Sequence, residues 1–394
     1  MKAFYTRIGG SVTAPRGFRA AGVAAGIKSN GRKDVALIVS DTPATAAATF
    51  TTNQVKAAPV KLSMAHVKSG KACAIVANSG NANACTSDGP IHARAMACAV
   101  ARRLGCAENH VLVCSTGRIG VNLPIVKVEG GIKQCLGALS RLGGAAAAQA
   151  IMTTDTFAKE VAVQFKAGSR TFRIGGIAKG AGMIQPNMAT MLGFITTDAA
   201  IPRAALQRAL AHAVNQSFNR ITVDGDTSTN DTVIVLANGV AGKPPLTKFQ
   251  AALDFVCLEL AKMIVRDGEG VSKFVTINVR GAATERDAEI AARAVANSVL
   301  VKTSWCGGDP NWGRILDALG YSLARVNADL VDVGYEGVPA VRGGLPTRTP
   351  IAKLKKIVAK PTFSIDIHLH LGRGRCTMHT CDLTEKYVEL NKGE

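Results

Sequence analysis

Short apolar runs bounded by turn-forming residues recur along the first half of the chain and alternate with segments of helical spacing. The runs predict buried strands at Val35–Val39, Ala74–Val76 and Val111–Cys114. Between the second and the third of them, His92–Leu104 carries apolar residues at the spacing of a helix that faces a core. Strands and helices that alternate in this way predict a layered α/β protein.

Helical spacing continues in the second half of the chain. Apolar residues repeat at every fourth position at Leu206, Leu210 and Val214. A longer predicted helix begins after a cap at Thr247, stops at Asp267-Gly268 and has an apolar stripe on one face. The stripe consists of Phe249, Leu253, Val256, Leu260 and Ile264. Two further strands are predicted at Ile221–Val223 and Val233–Leu236, so strands and helices are mixed throughout.

A glycine-rich segment runs directly into an apolar run between residues 174 and 200. Its glycines precede Pro186, and Met191–Ile195 then predicts a buried strand, with Ala189-Thr190 at the junction. Lys179-Gly180 lies in the glycine-rich part, but the spacing of a phosphate-binding loop is absent. A lysine in this loop is suited instead to hold a substrate carboxylate.

The composition is that of a folded globular chain. Hydrophobic residues make up 47% of the 394 positions and charged residues 19%, which excludes wholesale disorder. The length suffices for two lobes or one large layered domain, since a domain takes about 100–200 residues. No apolar run reaches the ~18 residues that a membrane span needs.

The net charge and the cysteine pattern indicate which class of ligand the protein binds and in which cellular compartment it works. The net charge is +19, but the basic residues are dispersed and no nucleic-acid motif accompanies them, so anionic metabolites are favoured over nucleic acid. The ten cysteines form no CxxC pair and several lie in apolar runs, which favours buried free thiols over disulfides or a zinc site. The N-terminal segment lacks the apolar stretch of a secretory signal, and we expect a cytoplasmic protein.

Several groups of polar residues next to apolar runs are candidates for chemistry, because burial without hydrogen bonds costs several kcal/mol. Ser115-Thr116-Gly117 follows a predicted strand, where convergent donors suit an oxyanion hole and an ordinary turn fits as well. Thr153–Thr156 fits a helix cap or a Ser/Thr turn. The polar segment Asp224–Thr232 is a candidate binding loop between two predicted strands.

Three weaker signals remain. Asp224, Asp226 and Asp231 could bind a metal ion, although the spacing of a calcium loop is missing. The group Asp267-Gly268-Glu269-Gly270 fits a glycine cap of the long helix as well as a function. His368 and His370 alternate along a predicted strand, which favours a polar face over metal ligands.

Taken together and in order, these blocks closely resemble the ornithine acetyltransferases, the ArgJ family of bifunctional glutamate N-acetyltransferases and amino-acid acetyltransferases. The most specific block is KGAGMIQPNMATMLGFITTDA at Lys179–Ala199. The others cover nearly the whole chain: TAPRGFRAAGVAAGIK, NSGNANACT, STGRIG, IMTTDT, DGDTSTNDT, DGEG, VKTSWCGGDPNWGRI and CDLTEKYVELN.

The resemblance implies an enzyme that cleaves itself and then uses a threonine as its nucleophile. Cleavage between Ala189 and Thr190 would give an α chain of residues 1–189 and a β chain of residues 190–394. The two chains are expected to stay together as one αβ unit, and two such units to form a heterotetramer. The implied fold is a layered α/β sandwich of sheets flanked by helices, similar to N-terminal-nucleophile hydrolases but of different topology. No cofactor or metal is implied.

The implied reaction is a ping-pong transfer of acetyl from N2-acetyl-L-ornithine to L-glutamate through an acetyl ester on Thr190; use of acetyl-CoA as a second donor stays open. Thr116 and Gly117 match the oxyanion-hole pair of the family. The substrate-binding positions are matched by Thr153, Lys179, Thr190, Glu269 and Asn391. Lys179 and Glu269 have the right signs for the α-carboxylate and the side-chain amine of ornithine.

Two departures from the usual family pattern bear on substrate choice. Arg118 stands where the family usually has a small aliphatic residue, so a charge lies next to the predicted oxyanion hole. The sequence ends at Asn391-Lys392-Gly393-Glu394, whereas the family usually continues to a Ser or Thr that contacts substrate. We therefore expect substrate affinity or choice to be altered.

Two other functions compete with acetyl transfer. A related self-cleaving amidase or aminopeptidase would use water in place of glutamate as the acceptor. A basic binding protein without catalysis is supported only by the net charge and by the shortened terminus.

Overall fold

The computed structural model describes residues 4–185 and 191–392. Packing divides the chain into two compact units. The first contains the residues up to Asn219 together with Asp226–Ile264, and the second contains Arg220–Gly225 together with the residues from Val265 onward.

The first unit is built on a sheet of nine described strands. In chain order these are β1 (Tyr5–Ile8), β2 (Phe18–Val23), β3 (Val35–Phe50), β4 (Lys71–Asn81), β5 (Val111–Arg118), β6 (Lys159–Ala167), β7 (Arg170–Lys179), β8 (Leu192–Ala199) and β9 (Thr232–Gly242). They are ordered β1-β6-β7-β8-β9-β3-β4-β5, and β2 pairs with β3. The long strand β3 pairs with β2 and β4 along its first half and with β9 along its second half.

Helices cover both faces of this sheet. They are α1 (Ala58–His66), α2 (Gly89–Leu104), α3 (Ile125–Gly137), α4 (Gly144–Ile151), α5 (Arg203–Asn215) and α6 (Leu246–Arg266). Val35, Leu37 and Val39 pack in a core with α2 and α3, whereas the alternate residues Ala36 and Ile38 pack in a second core with α4. This alternation along β3 produces the layers. The predicted α/β fold with layered sheets is confirmed.

Two boundaries differ from the sequence-based expectations. The helix α6 begins at Leu246, so Thr247 lies inside it and is not its cap, because the helix starts directly after Pro245. Ile221–Val223 does not form a strand; Ile221 makes one isolated bridge with His379. Three residues between a 3-10 turn and a polar loop are too few for a ladder.

The second unit has a six-stranded sheet of its own. Its strands are β10 (Phe274–Ala282), β11 (Asp332–Tyr335), β12 (Val338–Arg342), β13 (Leu345–Pro346), β14 (Thr362–His368) and β15 (Gly374–Cys381), in the order β13-β12-β11-β14-β10-β15. Its helices are α7 (Glu285–Asn297), α8 (Val299–Cys306), α9 (Trp312–Gly320), α10 (Ile351–Val358) and α11 (Glu385–Leu390). Thr284 caps α7, since its side chain accepts from the N–H of Asp287. His370 lies beyond the end of β14 at φ 54°.

The described residues contain no helix that is long and apolar enough to cross a bilayer. All ten cysteines are free thiols, as predicted, although Cys85 is exposed where burial was expected. Burial raises the pKa of the Cys135 thiol to about 12 and that of Cys114 further still. Thiols of this kind are poor nucleophiles.

Candidate active site

The ends of four neighbouring strands lie side by side along one end of the first sheet, and this end of the strands is called the strand edge below. Lys179, the last residue of β7, pairs with Leu192, the first residue of β8. Leu192 in turn pairs with Thr232 at the start of β9, and Thr232 pairs with Phe50 at the end of β3. The predicted cleavage residues Ala189 and Thr190 lie outside the described residues, and the described chain resumes at Met191 on this edge.

Asp231 anchors the backbone at the head of β8. The N–H of Met191 belongs to the peptide bond that follows Thr190, and it donates to Oδ1 of Asp231 over 2.7 Å. The carboxyl is fully buried, and burial raises its pKa well above its usual range. Its Oδ2 has no hydrogen-bond partner among the described residues. Asp231 therefore holds the first peptide after Thr190 with a carboxyl that resists ionisation.

The neighbouring residue ties the same loop to β5. Nδ2 of Asn230 donates to the carbonyl of Ser115 over 2.9 Å and to that of Ala82 over 2.7 Å. Ser115 directly precedes the predicted oxyanion-hole pair, Thr116 and Gly117. The start of β8, the start of β9 and the end of β5 are thus joined through two adjacent polar side chains.

Thr116 and Gly117 lie within β5, so the interpretation of this segment as a simple turn after the strand is wrong. Thr116 pairs with Ser79 and Gly117 with Gly80 of the parallel strand β4. Gly117 has a φ of 133°, and a Cβ there would lie 2.3 Å from the carbonyl carbon of Gly80. Only glycine is compatible with this close approach of two backbones. The side chain of Arg118 is exposed beside it.

A buried carboxylate gathers two of the predicted substrate-binding residues. Oδ1 of Asp155 accepts from Nζ of Lys159 over 2.6 Å and from the N–H of Gly180 over 2.7 Å. Its Oδ2 accepts from the N–H of Thr153 over 2.9 Å and lies 3.9 Å from Nζ of Lys179. No helix follows Thr153, so the cap interpretation of this segment is wrong.

The charges around Asp155 explain why it stays ionised. Burial opposes the charge, but Lys179 and Lys159 together with the N–H of Gly180 hold the pKa of Asp155 well below its usual range. Both lysine side chains are buried, with 0% and 2% exposure for Lys159 and Lys179. The cluster therefore places two buried lysine ammonium groups beside one carboxylate at the end of β7.

Lys28 adds a further cation that the sequence did not indicate. Its Nζ donates to the carbonyls of Met152 over 2.6 Å and Lys33 over 2.7 Å. Burial and the neighbouring Arg32 lower its pKa to about 8. A Cβ on Gly80 would lie 3.1 Å from Cγ of Lys28, so this side chain runs from the glycine pair of β4 and β5 to the residue before Thr153.

Glu269 and Asn391 come together in the second unit. Nδ2 of Asn391 donates to Oε2 of Glu269 over 2.9 Å and to the carbonyl of Tyr387 over 2.9 Å. Gly270 adopts φ 69°, and a Cβ there would lie 2.6 Å from the backbone nitrogen of Tyr387. The glycine with left-handed backbone conformation after α6 is thus Gly270 and not Gly268. Because Gly270 has no side chain, α11 can pack closely beside Glu269.

The predicted site residues therefore fall into three groups. Thr116, Gly117, Thr153 and Lys179 lie around one edge of the first sheet. Glu269 and Asn391 pair in the second unit, and Ala189 and Thr190 lie outside the described residues.

Lys28 was missed as a site residue, and the roles of Asp155 and Asp231 were not predicted. Both carboxylates lie in polar segments that the sequence had marked as candidates, but Asp231 was considered there as a metal ligand and Asp155 only as part of a cap or turn. For Lys28 the sequence carried no signal. Asp224, Asp226 and Asp231 do not converge, since the described residues contain no cluster of three potential ligands that could hold a metal ion.

The amino-acid sequence matches the ArgJ family along residues 19–393. The chain belongs to the ArgJ family. It is 50% identical over 385 residues to the arginine biosynthesis bifunctional protein ArgJ of Geobacter sulfurreducens, covering 95% of this chain and 98% of the relative. It is 47% identical over 399 residues to the glutamate N-acetyltransferase of Methanocaldococcus jannaschii, with 98% of each chain covered.

Solved structures of family members also resemble it. The ornithine acetyltransferase of Mycobacterium tuberculosis, crystallised with ornithine, is 44% identical over 46% of this chain and 98% of its own, with a TM-score of 0.44.

The raised pKa of Asp231 predicts how substitutions change stability with pH. A carboxyl with a raised folded pKa stabilises the fold only below its unfolded pKa of ~3.9, and this contribution is lost as the pH rises toward the folded value. Asp231→Asn keeps an acceptor for Met191 and does not titrate. We expect the free energy of unfolding of this variant, relative to the unsubstituted chain, to increase between pH 4 and pH 7.

Chemical unfolding at several pH values measures this, in a Thr190→Ala background that keeps one chain species. Asp231→Ala is the control: it does not titrate either, so its relative stability should change with pH in the same direction, but it should lie about 1–3 kcal/mol below the Asn variant at each pH because it lacks the acceptor. An Asn variant whose relative stability does not change with pH would show that Asp231 is ionised in the fold.

Proposed function

We propose that this chain is a self-cleaving ornithine acetyltransferase of arginine biosynthesis that moves acetyl from N2-acetyl-L-ornithine to L-glutamate. The observation that carries the proposal is 50% identity over 95% of the chain to a relative named arginine biosynthesis bifunctional protein ArgJ. The buried polar cluster at one strand edge supports it, because the predicted binding residues Thr153 and Lys179 meet there around Asp155. The ten free thiols fit action in the reducing cytoplasm.

Self-cleavage would begin with attack of the Thr190 hydroxyl on the carbonyl carbon of Ala189. The new C–O bond replaces the C–N bond, the hydroxyl proton passes to the nitrogen, and water then hydrolyses the ester. Thr190 is left with a free α-amino group whose pKa of ~7.7–8.0 suits a base near neutral pH. The anchored N–H of Met191 supports this step, since it fixes the backbone on the other side of Thr190.

The proposed cut lies between β7 and β8 in the sequence and would not separate the strands of the first sheet. The strand β7 would belong to the α chain and β8 to the β chain, and they pair from Ile174 with Thr197 to Lys179 with Leu192. The strands β3 and β9 pair across the same divide. Backbone hydrogen bonds would therefore hold the α chain of residues 1–189 and the β chain of residues 190–394 together as one αβ unit.

Acetyl transfer would use the Thr190 hydroxyl as the nucleophile and the Thr190 α-amine as the base. The hydroxyl attacks the acetyl carbonyl of acetylornithine, the C–N bond breaks, and the α-amine takes the hydroxyl proton and delivers it to the leaving amine of ornithine. The α-amine of glutamate then attacks the ester carbonyl, the C–O bond to Thr190 breaks, and the proton released by the glutamate amine passes through the Thr190 α-amine to the threonine oxygen. Thr116 and Gly117 would stabilise the oxyanion, while Lys179 and Thr153 would hold the substrate carboxylate. Glu269 and Asn391 would bind the amine of ornithine. We also propose acetyl-CoA as a second donor and a heterotetramer of two αβ units.

The transferase assignment is tested by measuring how the acetyl group of the acetyl-enzyme is divided between glutamate and water as acceptors. With acetylornithine as the donor, ornithine release should depend on glutamate, and acetylglutamate should form in equal amount, because a transferase must protect its acyl ester from water. Replacing glutamate by succinate, which lacks the amine, provides the control. Ornithine released at one rate with and without glutamate would assign the protein to the amidases instead.

A further inference from the structure

A cavity of about 730 Å³ opens on the second unit and is lined by an unusual concentration of positive charge. Four arginines and one histidine line it, namely Arg220, Arg280, Arg373, Arg375 and His368. None of the described residues that line the cavity is acidic. None of them belongs to the candidate active site.

Strand pairing brings two of these arginines onto neighbouring strands. In the antiparallel pair of β10 and β15, Val279 lies opposite Cys376, and the register then shifts before Ala282 pairs with Gly374. Arg280 and Arg375 lie in this irregular part of the pair, each directly beside a paired residue. On the other side of Arg280, the parallel strand β14 contributes His368 as its partner. Like charges close together on neighbouring strands destabilise a sheet, and an anion bound in the cavity would relieve that repulsion.

The backbone that carries the arginines is fixed. The N–H groups of Leu371 and Gly372 both donate to the carbonyl of Gly281, over 2.7 Å and 3.0 Å. Gly281 has φ 68°, and a Cβ there would lie 2.4 Å from the ring of His368. A Cβ on Gly374, between Arg373 and Arg375, would lie 2.1 Å from the carbonyl oxygen of Thr284. A site of fixed shape binds an anion without first ordering a loop.

Carboxylates elsewhere in the same unit do pair with arginines. Arg342 contacts Asp332 over 2.6 Å and Arg325 contacts Asp287 over 3.4 Å. Asp366 lies on the sheet close to the cavity, but it accepts from Nδ2 of Asn278 instead. The lining of this cavity itself contains no acidic residue, and Asp332 and Asp366 line the adjacent pocket together with Arg280 and His368.

We propose that this cavity binds a small anion with two or more linked phosphate groups. Guanidinium groups bind phosphate oxygens in pairs, and four arginines line the cavity. The volume lies in the range of about 300–1,000 Å³ that holds ligands of nucleotide size. The site is independent of the proposed acetyl transfer, because it shares no residue with that machinery.

Calorimetric titration of the purified full chain in buffer with EDTA tests the proposal. Inorganic pyrophosphate and ADP are the two probes, and tighter binding of ADP would identify a nucleotide as the source of the phosphates. The double variant Arg280→Gln/Arg375→Gln should weaken both by about tenfold or more. Without any anion, it should also melt at a higher temperature than the unsubstituted chain, since the repulsion is relieved.

A double variant with the same net charge serves as the control. Arg286→Gln/Arg348→Gln removes two exposed arginines of the second unit outside this cavity and should change binding less than twofold. If both double variants bind the anions equally weakly, the binding depends only on the overall positive charge of the protein, and the proposal is overturned. Failure of both probes to bind the unsubstituted chain at millimolar concentration would also overturn it. Loss of a dimer in the cavity variant, without phosphate binding, would assign the arginines to a protein interface instead.

Discussion

Replacing Thr190 by Ala is expected to leave the chain uncut at 40.9 kDa and to abolish acetyl transfer. The hydroxyl is the only group in the proposed mechanism that can attack either the Ala189 carbonyl or the acetyl group. Loss of a nucleophile of this kind costs about 10⁴–10⁶ in kcat. Intact mass and a denaturing gel measure the cleavage, and acetylglutamate formation measures the transfer.

Thr190→Ser is the matched control. It keeps a hydroxyl at the same position, so it should still cut between residues 189 and 190 and retain part of the transfer activity. Two fragments in the Ala variant would show that another group performs the cleavage. An intact but active unsubstituted chain would separate catalysis from processing and remove the α-amine of Thr190 as the base.

Asp155→Asn is expected to cause the largest loss of stability of any single change at the site. It removes the carboxylate that Lys159 contacts over 2.6 Å and that lies 3.9 Å from Lys179, and breaking a buried ion pair in this way costs about 3–5 kcal/mol. Chemical unfolding in the Thr190→Ala background measures the loss. Glu336→Gln is the control, since its partner Lys360 is 52% exposed and such pairs contribute about 0–1 kcal/mol.

The effect of Asp155 also has a defined pH dependence. Because its folded pKa is lowered, Asp155 contributes stability above its unfolded pKa of ~3.9, and this contribution is lost as the pH falls through the folded value. The difference in the free energy of unfolding between Asp155→Asn and the unsubstituted chain should therefore be largest at pH 7 and decrease below pH 4. Adding Lys159→Met to the variant should restore part of the stability. A difference that persists unchanged at pH 3 would contradict the ion-pair account.

Strands that are buried on both faces were predictable, because such a strand is an uninterrupted run of apolar residues in the sequence. Val35–Val39 and Val111–Cys114 lie in β3 and β5 as predicted. The outer limits were not predictable: β5 continues through Thr116 and Gly117, because these residues pair with β4, which is distant in sequence. Thr247 was misplaced for a related reason, since the start of α6 follows Pro245 and a threonine inside a helix looks like a cap.

The candidate site likewise has one part that was predictable from the sequence and one that was not. The residue types of the reaction were visible in the sequence, because Thr116, Thr153, Lys179 and Glu269 occur in blocks whose order resembles one family. The partners that position them were not visible. Asp155 lies 24 residues before Lys179 in the numbering, and Asp231 lies 40 residues after Met191, so only the fold brings their atoms within contact.

By itself, the sequence determined the family, the α/β class and the identity of the candidate nucleophile Thr190, because these depend on residue types and on their order along the chain. Only the tertiary structure decided which charges are buried together, which carboxyl anchors the peptide after Thr190, and which arginines line one cavity of the second unit. Those properties depend on distances between residues remote in the chain, and a hydrogen bond or ion pair forms only where folding closes that distance to a few ångströms.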